Sequence, residues 1–287
     1  MRPAGWLVAV IVIAGVLAGC GGGTHRRSGR TQTTAGPNHG SVPVGVAGGS
    51  YRWLVPTHGP PPTIAAENAQ RGTDAWRLPG PPQDIGGVRQ GDVAGYVAAQ
   101  ALLPGQRQRI YVSAPGARDV RIRIFRIGWY GGAGGREVLV SDRLRTRAQP
   151  RCRHRYSTGL TECDWHPTLS FVIPPALPSG VYVAKLSTSE GGSDCLFVVQ
   201  ATRPQPLLAQ LPTATYEAYN GWGGDSLYPG GADRVGVTGT TQGVAVSYDR
   251  PYGGVTGAGQ FFARDVAMGV LPRALRLSGV VHHERVG

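Results

Sequence analysis

The sequence predicts a mixed α+β protein, an N-terminal antiparallel β-sandwich followed by the beginning of an α/β domain. Between Tyr51 and Ala201, short runs alternate apolar and polar residues, with no helical stretch between them. The 45 glycines and 23 prolines supply turns while an apolar fraction of 41% supplies cores, so turn-rich β structure follows rather than disorder. Further on, the apolar run Pro206 to Leu211 leads into YEAYNGWGGDSLY, Tyr216 to Tyr228. A strand followed by a glycine-rich turn of polar aromatics is the layout of a site at the carboxyl end of a strand in an α/β sheet.

The N-terminus sets the compartment. Arg2 precedes the apolar run Trp6 to Val16, which has the length of a signal-peptide core and is short for a membrane span. The run ends in Leu17-Ala18-Gly19-Cys20, which resembles a bacterial lipobox, whose cysteine thiol accepts diacylglycerol. Residues 1–20 are therefore expected to be a lipoprotein signal peptide. The mature chain would begin at a lipidated Cys20, anchored on the extracytoplasmic face of the cell membrane. Residues 21–50, rich in Gly, Thr, Arg and Pro, read as a flexible linker.

In an oxidising compartment the remaining cysteines are Cys152, Cys163 and Cys195. Cys152 and Cys163 flank the turn-like Tyr156 to Leu160, so a disulfide closing a hairpin is expected there. Cys195 lies beside the apolar run Leu196 to Val199 and reads as a buried free thiol. No spacing matches a zinc site. The net charge is +12, yet Lys185 is the only lysine and the arginines are scattered, so no nucleic-acid recognition motif emerges.

Within 51–201, Arg109 to Ser113 and Val120 to Ile127 alternate arginine with Val, Ile and Phe, one solvated face and one core face. Leu169 to Ile173, Gly180 to Leu186 and Cys195 to Gln200 repeat the pattern, and successive strands without helices argue for a sandwich. Arg126 to Arg136 (RIGWYGGAGGR) leaves a strand with five glycines. No helix pattern follows, so it reads as a tight turn with Trp129 and Tyr130 packed on a neighbour, not as a phosphate cradle.

Several motifs occur in order: AENAQRGTDAW from Ala66, Gly95-Tyr96, RIGWYGGAGGR, Trp165-His166-Pro167, Ser179 to Tyr182, AYNGWGGDSLY from Ala218, and Ser247 to Pro251. From about Ile64 to Gln260 the chain resembles proteins related to the large (beta) subunit of N,N-dimethylformamidase. The resemblance implies a β-sandwich followed by an α/β domain similar to class I glutamine amidotransferases. It also implies an ancestral reaction, hydrolysis of a carboxamide at an iron held by two tyrosines and a glutamate. Phenolate and carboxylate oxygens are hard ligands suited to ferric iron, which polarises a carbonyl and activates water.

On that reading Tyr219 is the first candidate metal ligand and Tyr248 the second, although for Tyr248 a buried tyrosine bonded through its hydroxyl is the simpler account. Asn220 and Asp225 are candidates to orient substrate, or are turn-formers beside glycines. Trp222, Tyr228, Arg250 and Tyr252 are expected to line a ligand mouth. The alternative, of another class, is a non-catalytic module that stacks Trp129, Tyr130, Trp222 and Tyr228 on envelope glycan.

Residues 206–287 are few for a complete α/β domain of about five strands with covering helices. Beyond Pro206 to Leu211, the strand candidates are Val235 to Val237 and Gly243 to Ser247. Phe261 to Met268 begins like a helix, whereas Gly269 to Gly287 has no periodic pattern and offers no landing place for a ligand glutamate. The expectation is an α/β domain cut short by an early stop or frame shift, a poorly ordered tail, and no amide hydrolysis by this chain alone.

Overall fold

Alternation in the sequence becomes two sheets that bury a common set of side chains. The computed structural model describes residues 50–78, 93–117, 119–146, 149–189, 191–205, 207–228, 242–253, 257–267 and 279–283. The signal peptide, Cys20 and the linker up to residue 49 lie outside these residues, as do Val235 to Val237.

Strands β1 (Tyr51–Trp53), β2 (Ala94–Val97), β3 (Ala101–Leu102), β4 (Arg107–Ser113), β5 (Asp119–Ile127) and β6 (Gly135–Arg145) come first. Then follow β7 (Arg153–Arg155), β8 (Leu160–Glu162), β9 (Pro167–Val172), β10 (Gly180–Ser187) and β11 (Gly192–Val199). One sheet has the order β1-β6-β5-β10-β11-β3 and a second the order β2-β4-β9. Pairing is antiparallel throughout both, except where β11 meets β3. The elements among the described residues are mostly strands with few helices, so the protein is β-rich and mixed.

The inward residues of β4, Ile110 and Val112, meet Leu169 and Phe171 of β9 and Val120, Ile122 and Ile124 of β5 in one core. Residues one step out of phase on β5, β10 and β11 face the other way. Phe125, Ile127, Val181, Val183, Leu196 and Val198 join Leu211, Tyr216, Tyr252 and Phe261 in a second core. Strand β10 is thus covered on both faces, which is why Gly180–Ser187 reads as a nearly continuous apolar run.

The RIGWYGGAGGR segment is a tight turn, as its glycines suggest. Gly131, Gly132 and Gly134 have φ of 67°, 96° and 82°, and Tyr130, at 46°, joins them in the left-handed region. Tyr130 is fixed there by a buried network. Its hydroxyl donates to Glu67 Oε1 at 2.5 Å and accepts from Arg126 Nη1 at 2.8 Å. Arg136 Nη1 reaches Glu67 Oε2 at 2.8 Å. Glu67 stands on the short helix α1 (Ile64–Asn68), whose first turn is capped by the Thr63 hydroxyl.

Beyond the sheets, β12 (Leu207–Leu211) runs into helix α2 (Thr213–Ala218), and Phe261–Asp265 forms a π-helical turn. Two sequence expectations are corrected here. Gly243 to Ser247 is not a strand: its chain is held by Gly243 N to Ser226 O and Val244 N to Thr158 O, one bond to each of two loops rather than a ladder. In the stretch with no periodic pattern, Gly279–His283 forms β13, paired parallel with β12. Gly-Val-Val-His-His does not alternate apolar with polar residues, and the paired backbone supplies what the pattern could not.

Candidate functional site

The stretch from Tyr216 begins as a helix and only then becomes a turn. Helix α2 sends Tyr216 and Glu217 inward and ends at Tyr219, after which the chain coils around one side chain, that of Arg250. Arg250 donates from Nε to Glu217 Oε1 at 2.7 Å and from Nη2 to Asn220 O at 2.8 Å. Its Nη1 reaches Trp222 O at 3.3 Å and Asp225 O at 3.2 Å. A fork of five N–H donors can hold a carboxylate and three carbonyls together, which a lysine cannot do.

Asn220 closes the knot. Its Nδ2 donates to Glu217 Oε1 and to Pro251 O, each at 3.0 Å. Its Oδ1 accepts from Trp222 N at 3.1 Å and from Gly253 N at 2.8 Å. Burial pushes the Glu217 carboxyl up to about 7, against the lowering effect of Arg250. Tyr252 packs edge-on against Tyr216, and burial drives its phenol well above the usual tyrosine range. The Tyr216 hydroxyl in turn bonds Asp265.

A second device holds the loop from outside. Cys152 and Cys163 form a disulfide with Cα atoms 4.1 Å apart, closing the β7–β8 hairpin as the spacing suggested. Within the hairpin the His154 Nδ1 and Thr161 Oγ1 atoms lie 3.0 Å apart, and His154 Nε2 faces Asp225 Oδ2 at 3.7 Å. Cys163 N donates to Asp249 O at 2.7 Å. Cys195 is a buried free thiol, raised by desolvation.

The predicted site residues are therefore divided. Asn220, Asp225, Trp222, Arg250 and Tyr252 are all buried, whereas Tyr228 is 51% exposed. Trp222 sits edge-on against Trp165, with ring centres 5.9 Å apart. Tyr219 and Tyr248 are half-buried. The Tyr219 ring stacks on Tyr228 at 4.7 Å, and Tyr248 packs against the second core. Glu217 and His154 are functional parts of the knot and its brace that residue type alone does not single out. The signal for Glu217 was a lone carboxylate in the helix TATYEA, two residues before the first candidate tyrosine. His154 carried none, because its partner Asp225 is remote in sequence.

A β-rich scaffold with an aromatic loop knotted around a buried arginine, after a strand and a short helix, defines the class. The family described as N,N-dimethylformamidase beta subunit-like, C-terminal, matches residues 121–271, a little over half of the chain. This chain belongs to that family. No curated protein matches it.

Proposed function

We propose that this chain is a membrane-tethered lipoprotein whose ancestral reaction is the hydrolysis of a carboxamide. Family membership carries the reading, because the matched residues include both halves of the knot, Glu217 to Asn220 and Tyr248 to Arg250. In the same reading the two sheets sharing the first core form an antiparallel β-sandwich, domain 51–201. Strands β12 and β13 belong to an α/β domain over 206–287 like that of class I glutamine amidotransferases. Their parallel pairing supports this, since parallel neighbours need a long crossover. Tethering rests on Arg2, the run Trp6 to Val16 and the lipobox ending in Cys20.

Iron enters by resemblance alone. Among the described residues no three His, Cys, Asp or Glu side chains converge on one point. Glu217 Oε1 is already held by Arg250 and Asn220, and Asp225 faces His154. The two carboxylates of the Tyr216 to Tyr228 stretch are thus already engaged within the knot and its brace. What the chain's own groups do is hold a loop: Asn220 and Arg250 fix its backbone, leaving Tyr219 and Tyr228 as a stacked pair at the surface.

The test is hydrolysis of a small linear amide by the purified chain, with Tyr219→Phe alongside. Turnover lost in that variant supports catalysis by this chain and overturns the expectation that it alone hydrolyses no amide, whereas a folded chain without turnover leaves the reaction an ancestral one. The second reading, an envelope-glycan module, is favoured by the exposure of Trp129 and Tyr228 but not by Tyr130 and Trp222, which are buried. Retention on immobilised envelope glycan that is lost in Trp129→Ala would favour it.

A further inference from the structure

The sheet face that sends Phe125 and Ile127 into the second core changes character at its other end. Arg121 on β5 stands directly opposite Arg143 on β6, and Asp119 opposite Arg145. In the next row Val140 is flanked by Arg123 on β5 and Arg52 on β1. Opposed residues of an antiparallel pair share a face, and residues two apart on a strand do too. Arg52, Arg121, Arg143 and Arg145 therefore lie on one face, and all four are exposed. The other cations of that face are already engaged. Arg123 forks onto Glu137 at 2.8 and 2.6 Å, and the Lys185 ammonium is held by the carbonyls of Ala75 and Arg77. Among the described residues the four open arginines make no ion pair within 4.0 Å. Arg52 and Arg121 line a shallow cavity of about 340 Å³ that also contains Asp142, whose carboxylate is taken by the Ser50 hydroxyl.

Like charges set directly opposite on a sheet destabilise it. Keeping Arg121 against Arg143 is a cost that an anionic partner would remove. Beyond the shallow cavity under Arg52 and Arg121, the arginines spread over the surface of three adjacent strands, so the partner they suit is an extended charged surface. We infer that this face docks on an anionic lipid bilayer. The choice of lipid rests on the proposed anchoring at Cys20, because Arg52, on the first described strand, follows Cys20 by only 32 residues. Each arginine brought near such a surface strengthens association about fivefold, and salt weakens it.

The test uses the full chain carrying Cys20→Ser, so that no lipid chain contributes. Its binding is compared on vesicles of phosphatidylcholine containing phosphatidylglycerol and on phosphatidylcholine alone. The expected result is an excess on the anionic vesicles that falls with salt and drops about fivefold for each of Arg121→Gln and Arg143→Gln. Arg143→Gln should at the same time keep or raise Tm, since it relieves the repulsion; a structural arginine would lower it. Arg109→Gln, exposed on β4 of the other sheet, should leave the excess unchanged. An excess that survives the double variant overturns the inference, as does capture by soluble polyglutamate with no excess on vesicles, which would assign the face to an acidic polymer. Fractionation of native and Cys20→Ser chains from cells tests the anchor separately, so that either claim can fail without the other.

Discussion

Arg250 and Glu217, 33 residues apart in sequence, meet through Nε and Oε1 at 2.7 Å with both side chains withdrawn from solvent. The pair joins the two segments that carry Tyr219 and Tyr248. Removing one partner strands the other in a low dielectric, so Glu217→Ala and Arg250→Ala are each expected to cost about 3 to 5 kcal/mol. Arg250→Lys should recover little of this, because three carbonyls lose their donor. Urea unfolding measures it; a loss near zero would show that the knot does not hold the loop.

The Glu217 carboxyl also sets a pH dependence. Its folded pKa, about 7, lies above the ordinary glutamate value of 4.5, so the folded chain holds a proton that the unfolded chain has released. The associated stability is complete below about pH 4.5 and is lost as pH rises toward 7. Melting curves across that interval should slope downward for the native chain and lose this component in Glu217→Gln.

The β7–β8 hairpin should depend on its disulfide. Reduction of Cys152–Cys163 is expected to cost roughly 2 to 3 kcal/mol and to raise hydrogen exchange in 220–227, the loop braced by Cys163 and His154. Cys195, buried and with its thiol raised, should resist alkylation until the chain unfolds. A peptide map joining Cys195 to either hairpin cysteine would contradict the pairing.

Gly224 offers a sharper probe of the same brace. A Cβ at Gly224 would fall 2.7 Å from His154 Nδ1 and closer still to Thr161. Gly224→Ala should cost about 1 to 3 kcal/mol, the range for overpacking, and lift the hairpin from the loop. Unchanged near-ultraviolet dichroism of Trp222 would argue against such tight docking.

Strands with a clean period were legible. Val120 to Ile127 falls within β5, whose first half alternates because Arg121 and Arg123 face away from the core, and Gly180 to Leu186 falls within β10, an apolar run because both its faces are covered. Strand β6, 11 residues long, carries no such period, since bulges opposite Arg121–Arg123 and Ile124–Phe125 break its alternation. At the site, the residue types of YNGWGG suit an open mouth as well as the closed knot that the structure builds from them. Hydrogen-bonding capacity explains why. Asn220 and Arg250 are as able to satisfy buried backbone as to bind a ligand, and only the contacts between distant segments show which they do.

The parallel pairing of β12 with β13 has a bearing on the order of folding. Their register joins Leu207 to Gly279, with the whole Arg250 knot inside the intervening loop. Closing so long a loop carries an entropic cost that local contacts do not, and non-local pairing of this kind is slow. The two large sheets have all their strands by Val199 and can close while later residues are still leaving the ribosome. Strand β12 must meanwhile wait without its partner. Refolding is thus expected in two phases, with the aromatic loop taking shape only in the slower one.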